Sequence, residues 1–233
     1  MVSSSPRRFA PLKGEGAPGL PKLQGIVFDM DGTLCEPQTY MFGEMRAALK
    51  ISTTVDIIDH IYSLPEAEQP AAHEAVCAIE RTAMAKQTPQ PGLNALMRYL
   101  DDQGVRKAIC TRNFNIPVEH LLTKFLADTT FDPVVTRDFR PPKPHPAGVL
   151  HIAERWGLRR KDDEREADAS GLIMVGDSID DMLAGRAAGA ATVLLLNGVN
   201  RSLAEHVATD LVITRLDELV GILENGFEGR VIE

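Results

Sequence analysis

A doubly wound, mainly parallel α/β sheet carrying a small all-helical insertion is the fold class this sequence predicts. Short apolar runs alternate with helix-length amphipathic stretches along most of the chain, the pattern of parallel strands joined by crossover helices. The runs are continuously apolar, which suits strands covered by helices on both faces. One segment, 36–88, breaks this rhythm: it has helical periodicity and no strand. A length of 233 residues fits one α/β core plus a modest insertion.

In chain order, residues 1–22 come first, with Ser3, Ser4 and Ser5, prolines at 6, 11, 18 and 21, and Arg7, Arg8, Lys13 and Lys22 against Glu15. The prolines spoil an amphipathic helix, so a disordered N-terminal tail is expected. Gln24–Asp29 reads as a buried strand that ends in an acid and meets the turn Asp31-Gly32-Thr33. Further strands are expected at Arg106–Cys110, Asp132–Val135, Leu172–Gly176, Thr192–Leu196 and Asp210–Thr214. Helices are expected at Pro91–Gln103, Ile116–Ala127, Pro146–Trp156, Ile179–Ala188 and Arg215–Leu223. Within the insertion the longest helix is expected at Pro65–Gln87, with Pro65 in its first turn and Pro89 beyond its end. The domain plan is therefore a core of 23–35 and 89–225, a helical cap at 36–88 and a C-terminal tail at 226–233. The mixed-charge run Arg159–Asp168 reads as a solvated loop.

Bulk properties exclude several function classes. A net charge of −8 argues against nonspecific binding to nucleic acid or anionic membrane, since both need a basic surface. No apolar run approaches the roughly 20 residues of a membrane span. Cys35, Cys77 and Cys110 match neither a disulfide framework nor a CxxC metal pattern and read as reduced packing residues of a cytoplasmic protein. The basic N-terminal residues hint weakly at a mitochondrial transit peptide. Nothing in the sequence chooses between a monomer and a small homo-oligomer.

Four segments carry the chemistry, and each falls where a strand ends, the place where open α/β sheets build their sites. They are Asp29-Met30-Asp31-Gly32-Thr33, Thr111-Arg112-Asn113, Lys143-Pro144 and Gly176-Asp177-Ser178-Ile179-Asp180-Asp181. Asp29 and Asp31 sit two apart past a strand, so a turn can bring both carboxyls to one pocket. Two close carboxylates need a cation or a shared proton. Asp177 completes an oxygen-donor set of the kind Mg²⁺ prefers. Thr111 can bind phosphate oxygens, and Lys143 offers a compact cation that can pair with Asp29 and with phosphoryl charge. Each element alone has a bland reading as a cap, a turn or a solvated acid; their conjunction at four strand ends points to phosphoryl transfer.

This conjunction resembles the haloacid dehalogenase superfamily, whose motifs are DxDGT, a strand-terminal Ser or Thr, a Lys, and GDxxxD. The resemblance runs from about Gln24 to Leu223 and includes Ala184–Ala190 and Thr209–Leu219. It implies a phosphatase of the phosphoglycolate-phosphatase kind with a small helical first-type cap. It also implies that Asp29 is the nucleophile and Asp31 the general acid and base. Mg²⁺ would then be held by Asp29, the Asp31 carbonyl and Asp177, with Thr111 and Lys143 on the phosphoryl group and Asp181 orienting the site from behind. Asp31 favours a phosphatase over a dehalogenase, because a leaving alkoxide must be protonated and a water then activated. Rival readings are a phosphomutase on the same scaffold and a phospho-accepting signalling module of receiver type.

Arg112 and Asn113 are further candidates for the substrate phosphate, and Tyr40, Arg46, Arg81 and Lys86 are the polar insertion residues able to touch a leaving group. His145 is read as structural. The expected substrate is a small phosphorylated metabolite with a polar leaving group.

Overall fold

The structure, a computed structural model, describes residues 6–13, 19–38 and 40–230. Six strands form one sheet: β1 (Gly25–Phe28), β2 (Lys107–Cys110), β3 (Val134–Val135), β4 (Leu172–Gly176), β5 (Ala191–Leu195) and β6 (Leu211–Ile213). Their spatial order is β3-β2-β1-β4-β5-β6 and every pairing is parallel. The strand order reverses at β1, so the crevice beyond the carboxyl end of β1 is the switch point of a doubly wound sheet. Phe28 is level with Ile109 on one side and Val175 on the other. Asp29, Cys110 and Gly176 therefore leave the sheet along one edge.

Strand side chains alternate between two cores. Ile26, Phe28, Ile109, Ile173 and Val175 pack with α4 (Leu93–Asp102), α5 (Asn115–Phe125) and α8 (Glu218–Asn225). Val27, Ala108, Leu172 and Met174 face the other way, toward α6 (Ala147–Arg155) and α7 (Ile179–Ala188). Most expected elements occur within a few residues of their forecast bounds, and α7 matches at both ends. Helix α8 starts at Glu218, later than expected, because the Glu218 carboxylate accepts from the backbone N–H groups of Thr214 and Arg215 and holds them as a turn.

Between β1 and α4 lie α1 (Tyr40–Leu49), α2 (Ile57–Ser63) and α3 (Gln69–Ala85). Met41, Met45, Ile57, Ile61, Val76 and Ala83 close an apolar cluster of their own, separate from the two sheet cores. Pro65 does not open α3. Its carbonyl accepts from Glu68 and Gln69 N–H in a preceding turn, and Pro70 occupies the first turn of α3.

Within the expected tails, the described residues near the two ends of the chain pack against each other. Phe9 is 2% and Phe227 1% exposed, with ring centroids 5.6 Å apart. The Phe9 N–H donates to the Phe227 carbonyl and the Leu12 N–H to the Leu223 carbonyl. Burial of two aromatic rings outweighs the prolines and charges that suggested disorder. Residues 1–5, 14–18 and 231–233 of those expected tails lie outside the described residues.

Candidate active site

The loop after β1 is built by local backbone geometry. The Asp29 N–H still donates to the Val175 carbonyl, extending the ladder one step beyond β1. The chain then turns so tightly that the N–H groups of Thr33, Leu34 and Cys35 all reach the Met30 carbonyl. Gly32 makes this turn at φ +82°, and a Cβ there would come within 2.1 Å of the Asp177 carboxylate. Only glycine tolerates both the left-handed backbone and that approach. Gly176 has a similar task, since a Cβ on it would lie 2.3 Å from Asp181 Cβ.

Asp181 is held in place by the start of α7. Ser178 caps the helix: its Oγ accepts from the Asp181 N–H while its own N–H donates to Asp181 Oδ2, a reciprocal capping box. The other Asp181 oxygen accepts from Lys143 Nζ, which also donates to Asp29 Oδ1 at 2.7 Å. Asp29, Asp177 and Asp181 each place an oxygen within 4.8 Å of the others. Asp177 is steadied from the end of β5: Asn197 Nδ2 donates to its Oδ2 at 2.9 Å, and Asn200 Nδ2 to its backbone carbonyl at 2.7 Å. Asp31 stands apart from that acid cluster and accepts from Asn113 Nδ2 at 2.7 Å and from the Cys35 thiol.

The electrostatics follow from burying several acids around one lysine. Burial pushes the Asp29 carboxyl well above its ordinary value, Lys143 opposes the rise, and Asp181 and Asp177 add to it. Burial, reinforced by Asp181, pushes Asp177 up to about 7. Asp31 is raised by burial against the hydrogen bond from Asn113. Burial alone would lower Lys143, yet Asp181 and Asp29 win and hold it firmly protonated. Three carboxylates around one ammonium leave negative charge uncompensated, so the donor set fits a divalent, oxygen-seeking cation.

Asp29, Asp31, Thr111, Arg112, Asn113, Lys143 and Asp177 line one cavity, with Asp181 behind Lys143. Thr111 is buried beside the site, and its hydroxyl accepts from the Asn113 N–H. The Arg112 guanidinium spans Asp180 at 2.7 Å and Asp56 at 2.5 Å. Asn113 donates one amide N–H to Asp31, and its Oδ1 accepts from the Phe114 N–H. His145 is exposed, its Nδ1 accepting from Ala147 N–H in a turn.

A cavity of about 290 Å³ separates these loops from the helical insertion. Of the insertion candidates, Arg46 lines it, whereas Arg81 pairs with Glu74 on the exposed side of α3, and Tyr40 and Lys86 are also exposed. The insertion's wall is more apolar than expected for a polar leaving group, with Met45, Ile57, Ile58 and Val76 facing the cavity. Residues missed from sequence include Asn197 and Asn200, although their place after β5 obeys the strand-end rule that found the others. Also missed was the buried pair Glu80–Arg137, at 2.9 Å, which ties α3 to the loop after β3. No local pattern marks that pair, because its partners lie 57 residues apart.

Comparison with known proteins gives a concordant result. The family model described as haloacid dehalogenase-like hydrolase matches residues 23–189. An uncharacterized hydrolase of Saccharomyces cerevisiae is 43% identical over 219 residues, covering 91% of this chain and 96% of the yeast protein. A phosphoglycolate phosphatase of Nitrosococcus oceani is 33% identical over 135 residues, 57% of this chain and 56% of that one. In fold, the crystal structure of a hydrolase from Pseudomonas syringae superposes with a TM-score of 0.69 at 21% identity, covering 86% of this chain and 98% of that chain.

Proposed function

The chain belongs to the haloacid dehalogenase-like hydrolases, and from that premise we propose that it is a Mg²⁺-dependent phosphatase that hydrolyses a small phosphomonoester through a phospho-aspartate on Asp29. Kinship with phosphoglycolate phosphatases supports phosphate-ester hydrolysis. The observation that carries the mechanism is the division of labour between two carboxyls. Asp29 gives one oxygen to Lys143 and keeps the other open, while Asp31 is held apart by Asn113 and Cys35.

The open Asp29 oxygen attacks phosphorus as the bond to the leaving oxygen breaks. Asp31, whose proton affinity burial raises, gives its proton to that leaving oxygen. Asp31 then takes a proton from water as the water oxygen attacks phosphorus, which frees Asp29 and releases inorganic phosphate. Lys143 and Thr111 hold the phosphoryl oxygens. Asp181, clamped by Ser178, fixes where the Lys143 ammonium points. Asp29, the Asp31 carbonyl and Asp177 would hold Mg²⁺. When bound, the ion neutralises phosphoryl charge and the excess carboxylate charge. The helical insertion covers the leaving group as a cap, opening and closing over the site.

The test is phosphate release from p-nitrophenyl phosphate with and without metal. EDTA should abolish release and Mg²⁺ restore it, whereas Ca²⁺ should inhibit because its looser shell misaligns an in-line attack. In Asp31→Asn, which cannot activate water, acid quench should trap phosphate on Asp29. Full activity in chelated buffer, or phosphate trapped on another residue, sinks the reading.

A further inference from the structure

The roof of the cavity, contributed by the helical insertion, presents carbon to the loops below it. Met41, Phe42, Met45, Ile57, Ile58 and Val76 line that wall. Four of them also have a packing duty, since Met41, Met45, Ile57 and Val76 close the apolar cluster that holds α1–α3 together. Phe42 and Ile58 do not. Both lie outside that cluster, and the Phe42 side chain, the largest apolar one on this wall, is left 42% exposed. The packing of the insertion therefore accounts for neither side chain, and an aromatic ring facing water gains by being covered.

Among the described residues, the polar groups of the same wall are already engaged. Asp56 accepts from the N–H groups of Ile58 and Asp59 and from Arg112, and both Glu80 oxygens accept from Arg137. Gln38 Nε2 donates to the Ala83 carbonyl at 2.9 Å, and Arg46 Nη1 turns back at 3.4 Å to the Phe42 carbonyl of its own helix. A leaving group rich in hydroxyls would lose hydration here against partners that are already spent. A hydrocarbon loses nothing, and its methylenes leave water as they enter. Asp29, Thr111 and Lys143 line the opposite side of the same cavity, so whatever is esterified to a phosphoryl group seated there lies against this wall.

We propose that Phe42 and Ile58 form an apolar subsite that selects phosphomonoesters whose leaving group is an uncharged hydrocarbon. This rests on the phosphatase reading above and names its substrate class.

The experiment measures kcat/KM with Mg²⁺ for methyl, propyl and pentyl phosphate, for 4-hydroxybutyl phosphate and for 4-phosphooxybutanoate. The leaving oxygen is an unactivated alkoxide in all five, so differences report contacts of the chain rather than ease of bond breaking. Wild type should gain about two- to fourfold per added methylene, the worth of a buried CH₂. Pentyl phosphate should exceed its hydroxyl-ended isostere by about tenfold, with the carboxylate lower still. Phe42→Ser and Ile58→Thr should each flatten the pentyl-to-methyl ratio, chiefly through KM for the pentyl ester. Phe42 is half-exposed and outside the cap's own cluster, so Phe42→Ser tests the subsite without emptying that core. A flat chain-length series in wild type overturns the proposal, as does a preference for the hydroxylated or the carboxylated chain. So does an unchanged pentyl-to-methyl ratio in both variants. Failure of wild type with Mg²⁺ to release phosphate from any of these esters or from p-nitrophenyl phosphate overturns the phosphatase reading instead.

Discussion

The floor and the roof of the cavity are held together by different means. On the floor, charged groups find partners supplied by neighbouring strand ends: Lys143 with Asp29 and Asp181, Asp177 with Asn197, Asp31 with Asn113. These groups are mostly buried and already positioned by the sheet. On the roof, α1–α3 close their own small apolar cluster and are tied to the core by arginines reaching across the gap. Arg112 takes Asp56, Arg137 takes Glu80, and Arg140 lies 4.3 Å from the Tyr62 ring centroid. The floor is thus organised by the sheet itself, and the roof by a few long-range contacts. Under the proposed function, the chemistry falls to the floor and selection of the leaving group to the roof.

The sharpest way to break that division is at the floor. Asp29→Asn should keep the fold yet lose all but about a hundredth of the turnover or less, since enzymatic rate gains run to many orders of magnitude. Near-normal rates in the folded variant would show that the floor does not carry the reaction.

A smaller effect is expected where roof meets core at Glu80. Burial pushes its carboxyl up to about 7 against the pull of Arg137, from 4.5 for an unburied glutamate. The folded state therefore holds more protons than the unfolded one between those values, and stability conferred by the protonated form is lost as pH rises through that window. Glu80→Gln does not titrate, so it should gain on wild type by on the order of 1–3 kcal/mol between about pH 4.5 and 7. Denaturant melts at several pH values check this. The opposite trend would mean that the Arg137 pair outweighs burial and stabilises the roof in its ionised form.

The smallest expected change is at the half-exposed contact between Asp56 and Arg112. Asp56→Asn should raise KM for p-nitrophenyl phosphate by about 2–5-fold with little change in kcat, the scale of a partly exposed ion pair. A large fall in kcat would place Arg112 in the chemistry of the floor and erase the comparison.

Much of this was legible in the chain because its causes are local. Continuous apolar runs marked the strands, and the acids, glycine and threonine that follow β1, β2 and β4 marked the site. Ser178 and Asp181, three residues apart, make their capping box wherever α7 begins. What lay beyond the sequence were partnerships between residues that only folding brings together. Arg112 and Asn113 look free in the chain, and tertiary packing gives one to Asp56 and Asp180 and the other to Asp31. The prolines near the N-terminus suggest disorder until Phe9 finds Phe227 at the far end of the chain. Arg46, Arg81 and Lys86 are indistinguishable as letters in an amphipathic segment. Only the packing of α1 on α3 turns Arg46 toward the cavity and leaves the other two in solvent, because a helix face is chosen by what it buries.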